Sequence, residues 1–470
     1  MNMTRREHLS ILTTLWGMGA GPALAADPPL YGTWTGILDL GNVQLTLRLV
    51  IDGKGVLAIS VDQGGASVAG SDVVLEGERV SVNFKKVRAR FEGSLADADH
   101  IDGVFTQARP VKLRLARGEV AEPVTEQVWP PLTRELLDAK RAAAATPAMG
   151  AAWSRGARSG LLVSGLRASD ANIAVQPEDQ WHWGSITKSM TATLCARLVE
   201  AGVIRWDTTI AQILDDVDAT VPQPYRDATL VHLLSHRAGL QSNVTKINEF
   251  SLALADARVE RLRYVRLALA QKPVGALGAQ LAYSNNGYIV AGAMLEKLTG
   301  KPWENLIQTE VFAPLGIKHA GQGAPGAPGR LDQPVGHAVA DGKRQPHRPG
   351  RPDDDNPVAL GPAGRVHMPL ADMLVYLCAH LNRPSNFLQS ASWDKLHTPH
   401  FGDSYALGWE TGMNGRLSHG GSNTMWFAEV MIDRKMGTVC AACANDAAES
   451  TRSAVQDLLQ SARATSLSGE

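Results

Sequence analysis

Three short segments hold residues whose types and spacing could do covalent chemistry. The first is Gly184-Ser185-Ile186-Thr187-Lys188. Apolar residues at Ile186, Met190, Leu194 and Leu198 predict a helix running to about Gly202, so Ser185 falls in its first turn. Lys188 follows one turn later on the same face, which brings an amine within reach of a hydroxyl. A desolvated, neutral lysine there can take the serine proton and leave a nucleophile. Backbone N–H groups at the helix start also favour negative charge that develops nearby. The spacing alone is weak evidence. A second copy, Ser392-Trp393-Asp394-Lys395, reads as an ordinary amphipathic surface segment.

The second segment is Tyr283-Ser284-Asn285, ahead of a helix predicted over about Gly287 to Leu298. A phenol can relay protons where neighbouring cations stabilise its phenolate, and an Asn amide can hold both a lysine and a substrate amide. The plain alternative is a loop leading into the helix, with Asn as its cap. The third segment is His419-Gly420-Gly421-Ser422, before the strand-like runs Phe427–Ile432 and Thr438–Asn445. Two glycines in a strand let another backbone or a substrate come close, although a bulge or turn would use them equally well.

Taken together, Ser-x-x-Lys, Tyr-x-Asn and His-x-Gly in this order resemble the serine β-lactamase and penicillin-binding-protein family over about residues 130–460. The text most resembles the class C β-lactamases, related esterases and D-amino-acid-specific peptidases. Leu233-Leu234-Ser235-His236-Arg237-Ala238-Gly239-Leu240, Gly361-Pro362-Ala363-Gly364 and Tyr405-Ala406-Leu407-Gly408-Trp409 match as well. The resemblance implies an antiparallel sheet flanked by helices, with a mostly helical subdomain and the site between them. It implies Ser185 as the acylated nucleophile and Lys188 with Tyr283 as the proton-transfer pair, the base being left unassigned between them. It also implies that Asn285 orients Lys188 and the substrate. The backbone N–H groups of Ser185 and Ser422 would form an oxyanion hole. The sequence departs from the family at the third motif, which is usually Lys-Thr-Gly and engages a substrate carboxylate. His419 replaces the fixed cation, giving a weaker, pH-dependent grip on an anion, and Gly420 removes the hydroxyl. This favours esterase or aminopeptidase chemistry.

The elements that must position these residues divide the chain. Residues 1–25 read as an export signal of twin-arginine type, with Arg5-Arg6, an apolar stretch from Leu9 to Ala20 and the cleavage pattern Ala23-Leu24-Ala25. Residues 30–118 alternate with period two: Val43, Leu45, Leu47, Leu49 and Ile51 point one way. Further strand-like runs are Val56–Val61, Val80–Phe84, Arg88–Leu95, Ile101–Thr106 and Val111–Leu115, with turns at Asp52-Gly53 and Gly77-Glu78. Short strands at this spacing predict an all-β antiparallel barrel, and Gly32-Thr33-Trp34-Thr35-Gly36 resembles the first strand of lipocalin-like barrels. We read it as a packed accessory domain without a catalytic constellation, the alternative being a barrel that holds a ligand. Residues 119–131 form a linker rich in Pro and Glu, and 132–465 the α/β serine hydrolase domain, opening with a helix over Leu132–Ala145. The segment Gly321–Gly364 is too long for a routine loop and either covers the site or is a surface insertion. Asp353-Asp354-Asp355 within it lacks EF-hand spacing and reads as solvated loop.

Composition excludes several classes. The 470 residues carry 46 basic and 47 acidic side chains, so no global charge draws the chain to nucleic acid or anionic membranes. Four cysteines cannot make a disulfide scaffold. Cys440 and Cys443, at odd spacing in a strand, should face opposite sides rather than form a redox pair. His397 and His400 flank Thr398-Pro399, which breaks any helix, and have no third ligand nearby, so no metal is expected. No Gly-x-Ser-x-Gly elbow, Walker or dinucleotide fingerprint occurs. The expectation is a periplasmic or secreted bacterial serine hydrolase. It would need no cofactor, use small ester, amide or peptide substrates, and have no membrane span once mature. A β-lactamase or D,D-peptidase is the alternative within enzymes, and a silent binding protein for cell-wall peptides or another ligand the alternative outside them.

Overall fold

A computed structural model describes residues 29–468 apart from 40–43, 54, 61–65, 108, 119–128, 216–219, 246, 251–255, 352 and 413–414. The export segment, Val43 and most of the linker lie outside the described residues.

The first unit is a nine-stranded antiparallel sheet: β1 (Gly32–Asp39), β2 (Gln44–Asp52), β3 (Gly55–Ser60), β4 (Ala66–Ala69), β5 (Ser71–Glu76), β6 (Arg79–Phe84), β7 (Ala89–Asp97), β8 (His100–Thr106) and β9 (Pro110–Arg117). Strand order is β4-β3-β2-β1-β9-β8-β7-β6-β5. The two edge strands are therefore consecutive in sequence and joined at Gly70, so the sheet curls into a nearly closed barrel. The period-two pattern is buried as expected: Trp34, Leu49, Val82, Phe91 and Leu115 face inward. Trp34 anchors the first strand by donating from Nε1 to Leu30 O at 2.8 Å. The interior is not completely filled. A cavity of about 310 Å³ lies among Leu38, Leu47, Phe84, Phe105 and Gln107.

The second unit begins with α1 (Arg134–Ala144), whose first turn is capped by Thr133. Two strands follow, β10 (Ala148–Arg155) and β11 (Arg158–Gly165), then a short β12 (Gln180–His182). Helices α2 (Thr187–Glu200), α3 (Ile210–Leu214), α4 (Leu230–Leu234), α5 (Ala257–Ala270), α6 (Asn285–Thr299) and α7 (Trp303–Ile307) make up the helical subdomain. The long 321–364 segment is structured. It holds β13 (Gly321–Gln322), the hairpin of β14 (Gly336–Ala340) and β15 (Lys343–His347), and the one-turn α8 (Gly361–Gly364). After it come β16 (Val366–Pro369), α9 (Leu370–Asn382), α10 (Ser390–His397), β17 (Glu410–Thr411), β18 (Leu417–Ser422), β19 (Phe427–Asp433), β20 (Thr438–Ala444) and α11 (Glu449–Leu467).

The main sheet has the order β11-β10-β20-β19-β18-β17. Its central strands β19 and β20 are buried along their whole length, with α1 and α11 covering one face and α2 and α9 lying toward the other. Cys440 packs under α11 and Cys443 in the core on the other face, as their odd spacing predicts. No described helix is long and apolar enough to cross a membrane.

Candidate active site

A small second sheet sets the position of Ser185. Strand β12 pairs with β16, and Trp183 continues the pairing by donating its N–H to Val366 O (2.9 Å) and its indole N–H to Met368 O (3.0 Å). The chain then enters a 3₁₀ turn over Gly184–Ile186 that runs directly into α2. Ser185 thus stands at the helix start, as its spacing predicts.

Lys188 Nζ lies 2.9 Å from Ser185 Oγ and donates to Ala363 O at 2.8 Å. The lysine is completely buried, and desolvation pushes its pKa well below the ordinary value. Burial therefore favours the neutral form of the amine that faces the serine hydroxyl. Its carbonyl partner belongs to the Gly361–Gly364 stretch, which supplies a second anchor to α2 through Thr191 Oγ1 and Pro362 O at 2.7 Å.

Tyr283 stands over this pair, its ring centroid 4.9 Å from Lys188 Nζ. One flank of the ring is open to the cleft, 41% of the residue being exposed, while the hydroxyl end is walled in beside Ser185. Desolvation raises the phenol's pKa and Glu410 adds to this, against the hydrogen bond with Ser185. Burial thus favours the protonated phenol. His236 supports it from behind at 4.3 Å between ring centroids, its Nδ1 accepting the Ser284 N–H at 3.1 Å.

The predicted helix after Tyr283 forms, but its cap is Ser284, whose hydroxyl accepts the Gly287 N–H at 3.2 Å. Asn285 is the first helical residue, and its Nδ2 donates to Asn243 Oδ1 at 2.9 Å. The hydrogen-bond partners of Lys188 are Ser185 and Ala363, so the expected Asn285–Lys188 pairing is replaced by a bond between two loops.

Strand β18 brings the third segment against the first. A Cβ on Gly184, whose φ is +50°, would lie 2.3 Å from Ser422 N. One on Gly421 would lie 2.0 Å from Trp183 O and 3.0 Å from Ser185 N. Only glycine at both places allows the two backbones this approach. The N–H groups of Ser185 and Ser422 are thereby brought to one spot.

His419 is 3% exposed, with Nε2 3.0 Å from Tyr405 Oη and Nδ1 2.6 Å from Gly420 O. Desolvation, its largest cause, pulls its pKa down to about 3. The expected pH-dependent anion grip is thus corrected: at neutral pH this imidazole is uncharged and held by a tyrosine.

Asp355 is a site-building residue that the sequence reading took for solvated loop. It is buried, Oδ1 accepting from Asn423 Nδ2 (2.7 Å) and Oδ2 from Arg365 Nε (3.2 Å), with His182 Nε2 3.0 Å from Oδ1 and 3.1 Å from Oδ2. His182 Nδ1 in turn accepts the Gly184 N–H at 3.1 Å. One carboxylate therefore ties the residue after Ser422 to the residue before Ser185. Despite the desolvation that opposes ionisation, the facing His182, Arg365 and Asn423 hold its pKa below the ordinary range.

Beside Tyr283, His419 and Gly420 opens a cleft of about 520 Å³. Glu410, Glu429 and Arg452 line it, as does Arg109 from the barrel. The barrel domain thus contributes a residue to the cleft wall, though no catalytic constellation. The other candidates settle into structure. His397 pairs with His380 at 2.9 Å, and His400 Nε2 lies 2.9 Å from Lys395 O. Ser392 is in α10 with its side chain largely buried. Among the described residues no cluster of His, Cys, Asp or Glu could hold a metal ion.

The β-lactamase family profile matches residues 133–463. The chain belongs to the β-lactamase family. Penicillin-binding protein 4 of Amycolatopsis lactamdurans is 28% identical over 221 residues, which are 47% of this chain and 56% of that one. The chain spans about half, or less, of the length of the curated relatives it matches. Among β-lactamase-family folds, the D-amino acid amidase of Ochrobactrum anthropi SV3 superposes with a TM-score of 0.58 at 19% identity, over 70% of this chain and 97% of its own. EstCE1, described as a hydrolase with promiscuous acyltransferase activity, superposes with a TM-score of 0.59 at 17% identity, over 71% and 97%. These two likenesses establish a shared fold.

Proposed function

We propose that the protein is an exported serine hydrolase working through an acyl-enzyme on ester, amide or short peptide substrates. The observation that carries this reading is the buried, neutralised Lys188 amine 2.9 Å from Ser185 Oγ. The opposite shifts of Lys188 and Tyr283 support starting states in which the amine accepts a proton and the phenol already has one. Ser185 Oγ attacks the substrate carbonyl carbon as its proton passes to Lys188 Nζ. The carbonyl electron pair moves onto oxygen, facing the N–H groups of Ser185 and Ser422. When the tetrahedral centre collapses, the bond to the leaving group breaks, and that group takes a proton from the Lys188–Tyr283 pair. Water then attacks the Ser185 ester and gives its proton to the same pair; as that tetrahedral centre collapses, the bond from carbon to Oγ breaks, Oγ takes the proton back and the acid leaves. Export rests on the Arg5-Arg6 signal and its Ala23-Leu24-Ala25 cleavage pattern.

The test is intact-protein mass spectrometry after exposure to p-nitrophenyl esters, amino-acid amides and penicillins. The expected result is one acyl group added, mapping to Ser185. A protein that hydrolyses these compounds without ever carrying the label would refute the covalent route.

A further inference from the structure

The cleft wall beyond Tyr283 holds a buried carboxylate with an unmet hydrogen bond. Glu429 is 3% exposed and lies on β19 directly across from Gly420. Its Oε1 accepts from Gln456 Nε2 at 2.8 Å, while Oε2 has no hydrogen-bond partner. Leaving such an acceptor unsatisfied is costly, and a site that needs a donor from a ligand is a recurring reason for it. Gly420 leaves room beside this buried group: a Cβ there would be in ordinary contact, 3.8 Å from Glu429 Cγ and Oε1. Glu410, on β17, lines the same cleft, and its charge acts on Glu429.

We propose that Glu429, with Glu410 beside it, forms a subsite for the ammonium group of an amino-acid-derived substrate. This deepens the hydrolase reading and rests on it for the use made of the bound ligand, though not for binding itself. The groups facing Glu429 from each packed element are Glu410 on β17, Arg452 and Gln456 on α11, and Arg109 from the barrel. Both arginines act on Glu429 through their charge, yet Oε2 is left without a hydrogen bond. Arg452 donates to Ala447 O (3.0 Å), reaches Ser422 Oγ at 3.4 Å and lies over the Phe427 ring at 4.7 Å. Arg109 is directed to Asp457 at 4.0 Å. A metal ion does not fit, since the described carboxylates and histidines here make no coordinating group. An ammonium does: it is compact, carries three donors, and forms charge-assisted bonds to carboxylates. Burial holds both carboxyls near pH 7 when the cleft is free, so the subsite strengthens as pH rises through that value.

The experiment measures calorimetric binding of alaninamide (both enantiomers), N-acetylalaninamide and N-succinylalaninamide to the Ser185→Ala protein. At pH 8 one alaninamide enantiomer should bind at least ~10-fold tighter than its acetylated form, with a smaller ratio at pH 6. Glu429→Gln should bring the ratio to about 2-fold or less. Gly420→Thr, which leaves Glu429 in place and covers it, should do the same and serves if the first variant does not fold. Equal or tighter binding of the acetylated ligand, or a ratio unchanged in the folded variants, would overturn the proposal. So would preference for the succinyl compound, which would mean that Arg452 and Arg109 read a carboxylate instead. Failure of wild-type Ser185 to become acylated would sink the hydrolase reading separately, leaving this binding result intact.

Discussion

At the scale of single residues, the decisive property of Lys188 is where its charge is missing. An exposed lysine beside a serine does nothing, because its proton is already in place. Buried, the same amine becomes a base. Ser185→Ala is therefore expected to lower turnover of a small activated ester by at least ~10³-fold, with little change in the melting temperature. Ser392→Ala, in the second Ser-x-x-Lys copy, is expected to leave the rate within error. Equal losses in both would mean the assay reads folding rather than chemistry. The grouping of Ser185, Lys188 and Tyr283 was legible in the sequence through the order of three motifs that resemble one family, since Ser-x-x-Lys by itself occurs twice. Asp355 was not, since three consecutive aspartates look alike in text and only the tertiary fold distinguishes the buried one. The partner of Asn285 was equally hidden, because Asn243 approaches it from another loop.

At the scale of elements, the site is a junction between a helix start and an edge of the sheet. The Asp355 carboxylate links their flanks through His182, Arg365 and Asn423. Asp355→Asn removes the charge that these groups face and is expected to cost about 3 kcal/mol of unfolding free energy, read from urea denaturation. Turnover should fall further than the loss of folded protein explains, because Ser422 and Gly184 lose their common tie. An unchanged denaturation midpoint would show that the network is dispensable. The long alternating strands of the barrel were readable from period-two patterning. Ala66–Ala69 and Ser71–Glu76 were missed, since four to six small or mixed residues carry too few apolar positions to show a period. The hairpin and single helical turn within 321–364 escaped notice for the same reason.

At the scale of the whole molecule, burial of histidine sets the response to acid. Burial lowers the pKa of His367 to about 4 and of His380 and His419 to about 3, from 6.5. Unfolding lets each take up a proton below pH 6.5, so the stability they contribute is lost as pH falls from there toward 4. Glu410 and Glu429 act oppositely: burial raises them from 4.5 to about 7, and their contribution is lost as pH rises across that window. Three histidines outweigh two carboxyls, and His236 and His397 are lowered as well. The urea midpoint should therefore drop between pH 6.5 and 5, and a midpoint that climbs would show that the carboxyls dominate. Arg109 makes a second prediction at this scale. A shortened protein beginning at Pro130 should still be acylated at Ser185 by a small activated ester. Its KM for substrates large enough to reach Arg109 should change by several-fold, because one wall of the cleft is gone. A folded protein of that length that resists labelling altogether would make the barrel part of the reaction centre.

The order of strands in the main sheet carries a consequence in time. Strand β20 pairs with β10, and β18 brings Ser422 to Ser185, so each contact joins parts of the chain made far apart on the ribosome. Ser185, Lys188 and Tyr283 all emerge before the backbone of Ser422 that is to lie beside them. Pairings of such sequence separation form late and slowly. A growing chain is thus chemically idle: its serine and lysine exist for most of synthesis without a completed site. Reactivity arrives in a single step, when the last strands dock and the fold closes on its own beginning.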